Sequence, residues 1–189
     1  MEPAVDGIAR CRACGSSDLA AKRAPLLVVT GASGAGKTSV FHDLASQLRR
    51  ECIVFDADWL IDPFGGDVTT LDWVMLRDSW LHVAHGVAQN GLATLLLGGF
   101  LPDQLADLQG RHWIGDIHFL LLDCEDDERR HRIDARPAGR THDVEPQVTF
   151  GQWLRHRIPA VVDTTTGTPA DAAAAIAVWA RTVLSVPCP

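Results

Sequence analysis

The chain has 189 residues, 47% of them hydrophobic and 22% charged, and a formal net charge of -7. That length suits one domain with a substantial core, and the acidic balance argues against a general polyanion-binding surface, so broad nucleic-acid binding is not expected. No apolar run approaches the roughly 20 residues of a membrane span, and the opening Met1-Glu2-Pro3 lacks the basic-then-apolar layout of a signal peptide. The expectation is a cytoplasmic protein with no membrane association; composition leaves the oligomeric state open.

Residues 1–24 carry little hydrophobic periodicity and read as an arm. Within it Cys11-Arg12-Ala13-Cys14-Gly15 looks like half of a zinc knuckle. A structural zinc site wants four ligands, usually from two such pairs, and no second C-x-x-C follows. A reduced arm without zinc is expected, the alternative being a site completed by a distant histidine, Cys188 or a second chain. With Cys52, Cys124 and Cys188 the cysteine set is odd and scattered, which does not suggest a disulfide framework.

Leu26-Leu27-Val28-Val29 is long enough for one buried parallel strand. The stretch Gly31-Ala32-Ser33-Gly34-Ala35-Gly36-Lys37-Thr38 follows, with Ser39 after it, and reads G-x-x-x-x-G-K-T, the phosphate-binding P-loop pattern. Val40, Phe41, Leu44, Ala45 and Leu48 then recur at helical spacing, so the pattern sits between a strand and a helix, where its chemistry requires it. Glycines let backbone amides approach an anion closely, and the helix start adds free N–H groups and a positive dipole end. Lys37 can reach the β- and γ-phosphates, and the Thr38 hydroxyl can ligate Mg²⁺.

Cys52-Ile53-Val54-Phe55 is a second strand ending in Asp56-Ala57-Asp58. Ligands gather at the carboxyl ends of strands in an open α/β sheet. Strand alternation puts the two carboxylates on one side. Asp56 is expected to assist magnesium and Asp58 to act as base toward an attacking hydroxyl, against a bland role in capping or turn formation. After a turn-rich loop, Trp73, Leu76, Trp80, Val83 and Val87 form one helical stripe, stopped by Asn90-Gly91. Arg77 in this helix is a candidate for the substrate cleft or for plain solvent. Leu92 to Leu97 is a third strand. It ends in Gly98-Gly99, which permit close approach to a substrate or simply a tight exit turn. Pro102 opens a short helix to about Leu108, and Ile117 to Leu122 is the fourth strand.

Asp123 is expected to cap a helix whose opening turn holds Glu125, Asp126, Asp127 and Glu128, followed by Arg129, Arg130, His131 and Arg132. Acid early and base late complements the helix dipole, so no metal is assigned there. The basic run continues through Arg136 and Arg140, which suits phosphate clamping, a solvated basic face being the competitor. Gln147 to Arg157 is a further helix with Val148, Trp153 and Leu154 as apolar residues. Ala160-Val161-Val162 is the fifth strand, ending at Asp163-Thr164. Thr168-Pro169-Ala170-Asp171 opens the last helix with a cap, a proline and an acidic third residue, and Ile176, Trp179 and Val183 form its stripe. Residues 186–189 read as a tail.

This order of elements resembles the nucleoside-monophosphate-kinase-like group of P-loop kinases, which includes adenylate, shikimate and gluconate kinases and chloramphenicol phosphotransferase. The resemblance covers roughly residues 25–185 and implies an α/β P-loop NTPase fold, with a five-stranded parallel sheet, helices on both faces and an arginine-rich lid at about 132–145. Asp56-Ala57-Asp58 looks like the D-x-D of shikimate and gluconate kinases, and Gly98-Gly99 is similar to the end of the shikimate kinase third strand. Arg132 and Arg136 match the R-x-x-x-R of the adenylate-kinase lid, and the segment from Asp163 to Pro169 is placed like the loop that contacts adenine. The third strand lacks the D-G-F-P-R of adenylate kinases, and the arm is not part of the shared pattern. ATP and Mg are the implied cofactors, and the implied activity is phosphate transfer to a hydroxyl of a small-molecule acceptor. The alternatives are a nucleoside or nucleotide kinase and, outside the class, a nucleotide-dependent regulatory ATPase. Lys37, Asp58, Arg132 and Arg136 are the expected catalytic residues. The loop residues 31–39, Arg132, Asp163 and Thr164 would bind nucleotide, and Asp58, Arg77, Gly98, Gly99, Arg136 and Arg140 the acceptor side.

Overall fold

A computed structural model describes residues 23–61, 63, 68–136 and 143–185, together with the two-residue strands Glu2–Pro3 and Ala9–Arg10, which pair antiparallel. Cys11, Cys14, Arg140 and residues 186–189 lie outside the described residues. Five parallel strands form one sheet: β1 Leu26–Thr30, β2 Cys52–Asp56, β3 Ala93–Leu97, β4 Ile117–Asp123 and β5 Val161–Asp163. Their spatial order is β2-β3-β1-β4-β5. Val28 of β1 lies opposite Leu96 of β3 and Phe119 of β4. The strand order reverses at β1, so the crevice at its carboxyl end is where an open α/β sheet receives a ligand.

The helices are α1 Lys37–Leu48, α2 Trp73–Ala88, α3 Pro102–Ala106, α4 Asp126–Asp134, α5 Val144–Arg155 and α6 Pro169–Ser185. They cover both faces of the sheet. Leu27, Val29, Leu95 and Leu97 point to α1 and α6. Leu26, Val28 and Leu96 point to α2 and α3. All five positions of β1 and of β3 are buried, which is why these strands read as unbroken apolar runs rather than alternating ones. Ala172, Ala173, Ala177 and Ala180 give α6 a small-residue face, and this lets it lie close on α1. Its cap forms as the sequence suggests: Thr168 Oγ1 meets Asp171 Oδ2 at 2.7 Å, and the Thr168 N–H donates to that carboxylate at 2.9 Å. No described helix is long and apolar enough to cross a membrane.

Several local expectations are corrected. Trp73 is exposed; the buried face of α2 runs through Leu76, Trp80, Leu81, Ala84 and Val87. Trp73 stands in the first turn of α2, just after the Asp72 cap, and its ring meets Arg77 instead of the core. The helix from Pro102 stops at Ala106, and a 3-10 turn at Gln109–Trp113 takes over. α5 begins at Val144 rather than Gln147, and β5 is shifted by one residue to Val161–Asp163. Asp123 is not a helix cap. It ends β4, the N-cap position of α4 is Glu125, and the Asp123 carboxylate is taken by Arg129 and Arg155.

Candidate nucleotide and acceptor site

The phosphate loop leaves β1 at the reversal point. Gly34 and Gly36 take φ values of 85° and 95°, a left-handed backbone that only glycine adopts readily, and this folds the loop around its own amides. Gly36 caps α1 with no side-chain hydrogen bond, so the mouth of the helix stays open to an anion. Lys37 is the first helical residue. Its Nζ donates to the carbonyls of Gly31 and, at 3.2 Å, Ala32. Burial pushes its pKa down to about 8, against the opposing pull of Asp58 and Asp56. Lys37 therefore sits on the loop's own carbonyls. Thr38 and Ser39 are exposed on the same turn.

Behind the loop lies a bracing network that the sequence reading did not anticipate. Arg129 is fully buried, donating through Nη1 to the Ser33 carbonyl at 2.9 Å and through Nη2 to Asp123. Arg155 donates to the other oxygen of Asp123 and, at 2.6 Å, to the Cys124 carbonyl. Gln147 Oε1 accepts from the Ser33 N–H at 2.9 Å. Read along the sequence, Arg129 is one cation in a charged run. Its only local signal is that it falls four residues before the buried Ile133, on the inner face of α4.

Arg132 and Arg136 separate from Arg129 because they face the front of the loop. Both line a cleft of about 380 Å³ with Gly36, Ser39, Thr164 and Thr168. Arg132 reaches the Gly34 carbonyl at 3.2 Å and Thr164 Oγ1 at 2.9 Å, and Glu128 holds its Nε at 2.7 Å. Thr164 Oγ1 in turn lies 3.0 Å from the Ala35 carbonyl and 2.9 Å from that of Asp123. Asp163 does not join this lining. Its carboxylate closes a turn on Thr165, and those hydrogen bonds hold its pKa below the usual carboxylate range.

Asp56 and Asp58 are brought to the same edge, but not by strand alternation. Asp56 ends β2, whereas Asp58 stands in a 3-10 turn, Ala57–Leu60, whose N-cap is Asp56. Asp56 Oδ1 accepts from the Asp58 N–H at 3.1 Å, so the capping role is real for Asp56. Asp58 is exposed, and both carboxylates act on the Lys37 ammonium. Gly98 packs the exit of β3 against that turn: its N–H donates to Val29 at 3.1 Å, and a Cβ there would stand 2.7 Å from Ala57 Cβ. Gly99 is exposed, with open space around it. Arg77 is half-buried, stacks 5.7 Å from the Trp73 ring centroid and feels Asp103; burial lowers its pKa.

No protein-family model matches the chain, and no curated protein matches its sequence. Solved structures do. A tunicamycin resistance protein from Deinococcus radiodurans aligns with TM-score 0.60 at 16% identity, over 87% of this chain and 98% of that one. A sugar kinase from Janibacter aligns with TM-score 0.59 at 18% identity, over 88% and 99%. A gluconokinase from Sinorhizobium meliloti aligns with TM-score 0.54 at 20% identity, over 84% and 95%. The chain has the fold of the P-loop small-molecule kinases, an α/β P-loop NTPase fold.

Proposed function

We propose that this chain is an ATP- and Mg²⁺-dependent phosphotransferase that moves the γ-phosphate to a hydroxyl of a small molecule. One observation carries this reading: Lys37, at the open mouth of α1, lies within the field of Asp56, which ends β2, and of Asp58 in the turn that follows it. A phosphoryl group on Lys37 would thus stand between the loop and a carboxylate able to receive a hydroxyl proton. Catalysis of this kind is mostly positioning and charge stabilisation. Lys37 and the amides of the loop would hold the β- and γ-phosphates. Arg132, Arg136 and Arg140 would close over them as the lid at about 132–145 and exclude water. Asp58 would orient the acceptor hydroxyl and take its proton. Thr38 and Asp56 offer a hydroxyl and a carboxylate, hard oxygen donors that fit Mg²⁺, and the ion would supply charge neutralisation on the phosphate oxygens. Domain organisation follows the same reading: arm 1–24, kinase domain 25–185, tail 186–189. Calorimetric titration with ATP and Mg²⁺ tests the nucleotide half. Wild type should bind, Lys37→Ala should lose about 1.5–3 kcal/mol of affinity while staying folded, and equal affinities would refute the assignment.

A further inference from the structure

The phosphate loop contains one peptide whose direction its own sequence does not decide. The Ala35 N–H donates to the Ala32 carbonyl at 3.2 Å, which closes residues 32–35 into a β-turn. Gly34, at the third position, has a φ of 85°, whereas the φ of Ser33, at the second, is not positive. That combination is a type II turn. A type I turn differs from it by turning over the central peptide, here Ser33–Gly34, and a glycine at the third position accepts both forms. This peptide is trans, so its C=O and N–H point to opposite sides. Whatever fixes the Ser33 carbonyl therefore also aims the Gly34 N–H.

Arg129 fixes that carbonyl. Its Nη1 donates to the Ser33 oxygen at 2.9 Å, from the buried side of the loop. The guanidinium is itself held in place. Its Nη2 is paired with Asp123, and Gly151 of α5 makes room for it, since a Cβ there would stand 2.9 Å from Nη2. Its buried Nε has no partner to draw it elsewhere. Gln147 takes the Ser33 N–H at 2.9 Å, so Ser33 is gripped at both ends. The Gly34 N–H is left facing away from Arg129 and has no partner among the described residues. Gly34 lines the cleft with Gly36, Arg132 and Arg136.

We infer that Arg129 is a positioning residue of the phosphate site: by holding the Ser33 carbonyl it keeps the Gly34 N–H turned into the cleft as a donor to a phosphate oxygen. Without that hold the peptide can turn over and present a carbonyl oxygen to the anion instead. The inference rests on the nucleotide half of the proposed function. Arg129→Lys separates positioning from charge pairing, because an ammonium can still pair with Asp123 but has no fork to span Asp123 and Ser33 together. The full chain and this variant are titrated calorimetrically with ADP and with adenosine, and the nucleotide-free variant is crystallised. ADP affinity should fall about tenfold or more, the loss of a hydrogen bond to a charged group. Adenosine affinity should hold, and the Ser33 carbonyl should be turned toward the cleft. Gly34→Ala, which disfavours the positive φ of the type II turn, should also lower ADP affinity and add little to Arg129→Lys. Unchanged ADP affinity in Arg129→Lys overturns the inference. So does an unmoved peptide, or an equal loss of adenosine and ADP, which marks a general loosening of the cleft. If Arg129→Lys does not fold, Gly34→Ala decides: unchanged ADP affinity there overturns the inference, and a loss confined to ADP upholds it. A wild-type chain that binds no ADP refutes the nucleotide site and this role with it. A variant that loses ADP, from a wild type that binds it yet phosphorylates no alcohol, upholds the positioning role and refutes the phosphotransferase reading.

Discussion

The buried guanidinium of Arg129 donates to the carbonyl of Ser33 across 2.9 Å, joining α4 to the phosphate loop. The same guanidinium is paired with Asp123, which Arg155 also holds. Removing one member of a buried pair strands the other charge, at a cost of about 3–5 kcal/mol. Asp123→Asn strands the buried Arg129 and should lower stability to urea by that order; Arg129→Met leaves Asp123 on Arg155, so it should cost less while loosening the loop. Arg129→Met with Asp123→Asn should cost less than the sum of the two single changes, because Asp123→Asn then leaves no buried guanidinium without its carboxylate. Additive losses would show that the two residues do not act as a pair.

Lys37 sets a pH signature. Its folded pKa of about 8 lies below its ordinary value of 10.5. Between these values the unfolded chain binds more protons than the folded one, so stability gained at this site rises with pH across that window. The cost of burying the ammonium is fully present below pH 8 and relieved above it. Compared with wild type, Lys37→Met should be more stable at neutral pH, and the difference should shrink as pH climbs through the window. Nucleotide should reverse the shift by pairing the ammonium. ATP binding near pH 8 should then take up protons, read as a dependence of binding heat on buffer ionisation, and Lys37→Met should lose that uptake.

On the proposed mechanism the two aspartates divide the acceptor chemistry. Asp58→Asn keeps the shape but removes charge and basicity, so kcat for transfer should fall by roughly 100- to 10,000-fold with nucleotide affinity little changed. Asp56→Asn should instead shift the magnesium dependence, with the 3-10 turn intact because Asn also caps. A wild-type rate in Asp58→Asn with a dead Asp56→Asn would exchange the two roles.

Gly98 is a steric hinge point for the same turn. Gly98→Ala places a methyl 2.7 Å from Ala57 Cβ. Overpacking of this kind costs about 1–3 kcal/mol. The melting temperature should fall, and the displaced 3-10 turn should raise the acceptor KM more than that of ATP. Gly99→Ala, with open space around it, should change neither.

Arg132 ties α4 to the Gly34 carbonyl and to Thr164 at the end of β5. Arg132→Ala should weaken ATP binding more than it lowers stability, because its guanidinium is only partly buried. Comparing calorimetric affinity with the urea midpoint for that variant checks the ordering.

What was legible in the sequence was local. β1 and the loop are contiguous in the chain, so strand, glycines and Lys37 declare each other within a dozen residues. The Thr168–Asp171 cap is a four-residue signal of the same kind. The brace was hidden because its members are distant: Asp123 meets Arg129 six residues on and Arg155 thirty-two residues on. Arg129 looks like its neighbours until α4 is laid against α5, where Gly151 leaves room for the guanidinium. Trp73 misled for the opposite reason. Helical spacing says which residues share a face, not how far along the helix that face stays buried. Asp58 was found at the right edge by the wrong geometry, since a 3-10 turn rather than strand alternation sets it beside Asp56.

The central claim is phosphoryl transfer to a small-molecule hydroxyl, and product mass tests it most directly. The protein is incubated with ATP, Mg²⁺ and a panel of hydroxylated metabolites, nucleosides, nucleotides and antibiotics. The predicted result is an acceptor heavier by one phosphoryl group, formed with loss of the γ-phosphate from ATP, and absent with Lys37→Ala. If ATP is instead converted to ADP and free phosphate at one rate whatever the acceptor, with no phosphorylated product, the claim is contradicted and a regulatory ATPase takes its place.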